Sequence, residues 1–212
     1  MSESEWEAVE RRLAPILRRQ YHDALDALLA VLKDPQRERQ TVWEGTSRLQ
    51  ASGIPEPEHI SALVGVARQA REGGIAYAHA EQAIFEALTR LNHSDLLPFL
   101  AEAYDYTRAH DLFAGRRRAY AMDMVATMAI RLKLPEAYAW LGKILAQPDA
   151  KRRGTALMII YEAFDRDYGD FTPEMQTVFQ RASQADPDRR VRQTALACLL
   201  RMAQANHPEI EE

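Results

Sequence analysis

The sequence predicts an all-α fold, on three observations: glycine and proline are few and fall where helices would stop and start, β-branched residues never gather into alternating runs, and apolar residues recur at helical spacing. Ser4 and Glu7 have the spacing of a capping box, which opens a helix over 4–14. Pro15 lacks an N–H and crowds the preceding turn, so it predicts a kink or a break before a second helix over 16–33. Asp34-Pro35 starts a helix over 36–51, aspartate as cap and proline in the first turn, and Gly53 stops it. Helices over 57–72, ended by Gly73-Gly74, and over 75–91, 94–110 and 115–132 follow on short connections. Leu134-Pro135-Glu136, Pro148-Asp149, Thr172-Pro173-Glu174 and Asp186-Pro187 open the last four, over 135–146, 149–166, 173–184 and 188–205, with Gly169 as a stop after the second. Successive helices so connected pack as antiparallel hairpins.

The chain has 212 residues, 47% hydrophobic, 27% charged and 8% aromatic, enough for one large domain or an elongated array. A formal charge of −4 excludes a uniformly basic nucleic-acid coat and a highly charged disordered tail. The single cysteine, Cys198, excludes an intramolecular disulfide framework and a cysteine-rich zinc module. Its start is acidic, unlike a signal peptide, and stretches such as 24–32 and 194–200 are too short to span a membrane. The expectation is a soluble cytoplasmic protein with no membrane partner.

The chain also repeats itself. Pro187-Asp188-Arg189-Arg190-Val191-Arg192-Gln193-Thr194-Ala195-Leu196 aligns with Pro148-Asp149-Ala150-Lys151-Arg152-Arg153-Gly154-Thr155-Ala156-Leu157 at an offset of 39. A further offset of 35 sets Arg118 and Ala121 on Arg153 and Ala156, and Arg39-Gln40-Thr41 copies Arg192-Gln193-Thr194. Taking Arg39, Ala80, Arg118, Arg153 and Arg192 as equivalent gives spacings of 41, 38, 35 and 39, which suit two-helix units of about forty residues. Val191, Ala195, Cys198, Leu199 and Met202 form one apolar stripe that needs a neighbouring unit to bury it.

On these residues the chain resembles a HEAT-repeat protein, most specifically from Asp186-Pro187 to Met202, with a turn aspartate, a Val-Arg pair, then alanine and leucines on the second helix. The resemblance implies a right-handed α-solenoid of about five helix pairs. Residues 1–212 would form a single repeat domain, with amino-terminal capping helices in 1–33, repeats in 34–206 and an acidic tail in 207–212. It also implies a structural bond between Asp186 and Arg192. Gln147 and Leu112 replace that aspartate in the earlier copies, leaving their arginines free for other work.

Charge is uneven: 111–155 holds nine Lys/Arg against four Asp/Glu, and 51–110 four against eight. Arg116, Arg117 and Arg118, then Lys151, Arg152 and Arg153, then Arg189 and Arg190 open equivalent helices, and stacking would align them as a basic strip. Arg117 and Arg152 stand where the last copy has Val191 and are expected to carry their charges to solvent over apolar stems. The aromatic residues Tyr104, Tyr106, Tyr120, Tyr138, Trp140, Tyr161, Phe164 and Tyr168 are expected to fill gaps between helices.

No catalytic set stands out. His22, His59, His79, His93, His110 and His207 lack the helical pairing of a zinc protease. The run Asp165 to Asp170 has the residue types of a calcium loop, but its glycine falls one place early and Gln176 stands where the closing glutamate belongs. Neither a phosphate loop nor a dinucleotide fingerprint is present, so no cofactor is expected. Some alkylpurine DNA glycosylases have HEAT-like folds, but Trp6, Trp43 and Trp140 are dispersed and give no residue to carry over. The expected function is a noncatalytic scaffold presenting a basic groove to a protein partner with an acidic segment. The alternative is nucleic-acid binding by the same strip.

Overall fold

A computed structural model describes residues 3–111, 113–166 and 173–206. Leu112, Tyr168, Gly169, Thr172, the last four residues of the calcium-like run, His207 and the 207–212 tail lie outside the described residues, as do the side chains of Ser4, Trp6 and Phe164. The chain is all-helical, with no strand among the described residues. The described residues form ten α-helices, α1 Glu3–Lys33, α2 Arg39–Ala51, α3 Ile60–Glu72, α4 Ala78–Leu91, α5 Leu97–Asp105, α6 Ala114–Leu132, α7 Pro135–Leu145, α8 Ala150–Arg166, α9 Pro173–Ala185 and α10 Arg189–Asn206. Short 3-10 turns precede α3, α4 and α5.

Five starts differ from expectation, two of them, α3 at Ile60 and α4 at Ala78, by three residues behind a 3-10 turn. Pro15 lies inside an unbroken α1. The carbonyl of Arg11, which loses its donor, lies in a stretch exposed to water and can be hydrated there. Helix α2 begins three residues late because Asp34 caps a turn instead: its Oδ1 accepts the Gln36 amide at 2.8 Å, and Glu38 precedes the helix in extended conformation with no side-chain cap. The expected 94–110 helix is a 3-10 turn, Ser94–Leu96, followed by α5, which ends at Asp105.

The chain divides into two compact units. The first comprises residues 1–99 and 106–117. Here α1 packs on α2 and α3, α3 on α4, and α2 on α4. Leu25, Leu28, Leu63, Val66, Ile84, Phe85 and Leu88 are fully buried between them, at the helical spacing that made each helix amphipathic. Phe85 meets Phe99 with ring centroids 5.6 Å apart.

The second unit comprises residues 100–105 and 118–212. Helix α8 packs on α7 and α10, and α10 on α9. Val191, Ala195, Cys198 and Met202 are buried as one stripe, and Leu199 is half-buried at its edge. Burial pushes the Cys198 thiol up to about 11, which keeps it protonated and unreactive.

Candidate functional site

The arginines that the repeat places at helix starts divide into two classes. Arg153 and Arg192 are equivalent in structure as in sequence. The Nη1 of Arg153 donates to the carbonyls of Gln147 at 2.7 Å and Pro148 at 2.8 Å, and that of Arg192 to those of Asp186 at 2.6 Å and Pro187 at 3.2 Å. In each case the guanidinium closes the turn that enters its own helix. The aspartates at the caps complete it: Asp149 accepts the Lys151 amide at 2.9 Å, and Asp188 the Arg190 amide at 2.7 Å.

The equivalent in α6 is Arg117, one place before the expected Arg118. Arg117 Nη1 donates at 2.6 Å to Asp111, again six residues back, and Asp111 accepts the amide of Phe113 as Asp186 accepts that of Asp188. Asp111, and not Leu112, therefore stands in the place of Asp186. Arg118 instead donates from Nε to the Tyr104 carbonyl at 3.3 Å.

Two expected surface cations are corrected by burial. Arg117 is 2% exposed, and its Nε and Nη2 donate to the two carboxylate oxygens of Glu81, both at 2.6 Å. Arg71 donates to the same carboxylate at 3.1 Å. The two guanidiniums also lie over aromatic rings, Arg71 4.8 Å and Arg117 5.1 Å from the Tyr106 centroid. Two cations against Glu81 and Asp111 balance, which is the condition for keeping such charges out of water. Burial works against the charged form of Arg117, but its bonds to Glu81 and Asp111 prevail and raise its pKa.

Arg153 is the second. It is 5% exposed, and its Nε and Nη2 donate to Asp186 at 2.7 and 2.8 Å. The expected Asp186–Arg192 bond exists, but through the Asp186 carbonyl; the carboxylate serves Arg153.

The Arg153 hydrogen bonds hold the Asp186 carboxyl below its ordinary value, against the opposing effect of burial. A depressed carboxylate pKa contributes stability above the unfolded-state value, lost as pH falls through the folded-state value. Asp186→Asn is therefore expected to cost about 1–3 kcal/mol at neutral pH, the buried Arg153 losing its charged acceptor. Urea unfolding should show that difference close as pH drops below the ordinary carboxylate range.

The remaining predicted cations stay at the surface. Arg116, Lys151, Arg152, Arg189 and Arg190 are exposed and Arg118 half-buried. Arg152 pairs with Asp149 at 3.4 Å, and Arg116 reaches Gln82 at 3.4 Å. Two of them, Lys151 and Arg190, border an open groove of about 880 Å³ between α8 and α10. Its floor and walls are Gly154, Thr155, Met158, Ile159, Val191 and Thr194, with Glu162 and Asp188 also at the lining. Gly154 keeps the floor low: a Cβ there would touch Val191 at 3.9 Å. Both helices open beside the groove, so their positive dipole ends add to the two side-chain charges.

Met158 and Ile159 were not read as part of a site. The spacing Lys151, Thr155, Met158, Ile159, Glu162 marks one face of α8, but only the packing of α10 shows that this face borders a groove. Tyr104 is buried and meets Trp140 edge-on at 5.2 Å, as a gap-filling aromatic would. Trp43 is 54% exposed beside Arg39, Gln40 and His79 in the first unit.

Among the described residues, no three His, Cys, Asp or Glu side chains converge as metal ligands, and no helix is long and apolar enough to cross a membrane. No family model, curated protein or solved structure matches this chain.

Proposed function

We propose that the chain is a noncatalytic binding scaffold of HEAT-like helix pairs, a small α-solenoid, whose α8–α10 groove takes an acidic segment of a protein partner. The observation that carries this reading is the groove itself, in which Lys151 and Arg190 stand over an apolar floor of Met158, Ile159 and Val191. An amphipathic helix with carboxylates along one edge fits that chemistry, its apolar side on the floor and its acids toward the two cations. Arg117 and Arg153 are held by carboxylates of the chain and do not contribute.

Phosphates are a poorer match, because a phosphate backbone has no apolar side to cover the floor of Met158, Ile159 and Val191. Nucleic-acid binding is therefore the second arm of the test. Fluorescence anisotropy of a labelled helical peptide of leucine, alanine and glutamate is expected to show saturable binding that Lys151→Glu/Arg190→Glu weakens about tenfold or more. Labelled DNA and RNA should bind more weakly than the peptide. Peptide binding that the double variant leaves unchanged, or salt-sensitive nucleic-acid binding in its place, would remove the basis of the proposal.

A further inference from the structure

The α8–α10 groove carries opposite charges at its two ends. Along α8 its lining reads Lys151, Thr155, Met158, Ile159 and Glu162. Lys151 and Arg190 are each the second residue of their helix, and a Cβ on Gly154 would touch Val191 at 3.9 Å, which sets the first turn of α10 beside the start of α8. Both cations therefore stand at one end. Glu162 lies three turns further along α8, about 16 Å from Lys151 at the helical rise per residue.

The fold uses none of these three charges. Lys151, Glu162 and Arg190 are exposed, and among the described residues no side chain of opposite charge pairs with any of them. Asp188 shares the cation end, but its Oδ1 accepts the amides of Arg190 at 2.7 Å and Val191 at 3.2 Å and so serves the start of α10. The helix dipole does not account for the order either. It favours an acid near the start and a cation near the end, whereas α8 presents Lys151 in its first turn and Glu162 toward its end. Thr155, Met158 and Ile159, between them, carry no charge.

We infer that the segment this groove takes is bipolar: an apolar turn on Met158 and Ile159, a carboxylate at the Lys151 and Arg190 end, and a lysine or arginine about three turns away on Glu162. This bipolarity rests on the reading of the groove as a peptide site and adds the partner's charge pattern. A uniformly acidic helix would leave Glu162 facing acid, a like-charge contact that selects against it.

Two labelled helical peptides of equal length, titrated against the full chain at low salt, test the pattern. One has glutamates at both ends of a leucine-alanine centre, and the other has glutamates at one end and lysines at the other. The second should bind at least about threefold more tightly. Glu162→Gln should bring the two affinities together and Glu162→Lys should reverse their order; Glu162 is exposed, so neither change should move the thermal melt. Lys151→Glu/Arg190→Glu should weaken the all-glutamate peptide, as the groove reading requires. If it does so while the two peptides bind the unaltered chain equally, or while their difference survives Glu162→Gln, the bipolar partner is overturned and the groove reading stands. No binding of either peptide, or binding indifferent to Lys151→Glu/Arg190→Glu, would remove the groove reading and the bipolar partner with it.

Discussion

Replacing Glu81 by alanine is expected to destabilise the protein by about 3–5 kcal/mol, the cost of removing one partner from a buried charge pair. Glu81 is 1% exposed and its Oε1 accepts from both Arg71 and Arg117, so its loss leaves two buried guanidiniums without the carboxylate they share. Asp111 remains on Arg117 but accepts from its other edge, through Nη1. Urea unfolding measures the effect. Glu81→Gln should lose a similar amount, because the amide keeps the shape and removes the charge. Arg117→Met added to Glu81→Ala should cost less than the sum of the two alone, since the second change removes the charge that the first stranded. Additive losses would mean that water reaches the cluster.

The next largest effect is expected at Gly73. A Cβ there would stand 1.7 Å from Cδ2 and 2.4 Å from Cε2 of Tyr77, inside any permitted contact. Tyr77 is nearly buried, and the Arg37 guanidinium lies 4.9 Å above its ring, so the ring has little room to retreat. Gly73→Ala should therefore cost about 1–3 kcal/mol by overpacking. The backbone at Gly73 is ordinary right-handed helix, φ −66°, so the penalty is steric and not conformational. Gly73→Ala combined with Tyr77→Ala should cost less than the sum of the two alone in a thermal melt; additive losses would contradict the steric account.

What the sequence disclosed follows from which forces act locally. Helix stops, starts and apolar spacing are local, and the ten helices lie close to the positions that glycine, proline and aspartate mark. Pro15 misled because its cost depends on surroundings: an exposed turn can hydrate the freed carbonyl, and α1 runs through it. Asp34 and Asp186 each accept the amide two residues on, but after Asp186-Pro187 the helix starts at Arg189 under the Asp188 cap, whereas after Asp34-Pro35 it starts only at Arg39, behind Glu38 with no side-chain cap.

The arginines were legible as a repeated feature and illegible as a surface. Arg116, Arg117 and Arg118 are chemically alike in sequence, and which one faces inward depends on Glu81, 36 residues away from Arg117. The 39-residue offset between Arg153 and Arg192 was correct, whereas the preceding step is 36 and not 35, from Arg117 to Arg153. That one-residue slip hid Asp111 as the counterpart of Asp186. It also bears on charge reversal: a variant that changes Arg116, Arg117 and Arg118 together would strand Glu81 and Asp111 and report on folding instead of binding.

Structural arginines held by carboxylates, Arg117 and Arg153, stand apart from the cations that face the groove, Lys151 and Arg190. Nuclear magnetic resonance titration of the isotope-labelled chain with the acidic peptide tests that separation most directly. The largest amide shifts should fall in the first turns of α8 and α10, around Lys151 to Ile159 and Asp188 to Thr194, with little change near Arg116. Shifts centred on Arg116 and Arg118, or none at saturating peptide, would contradict it.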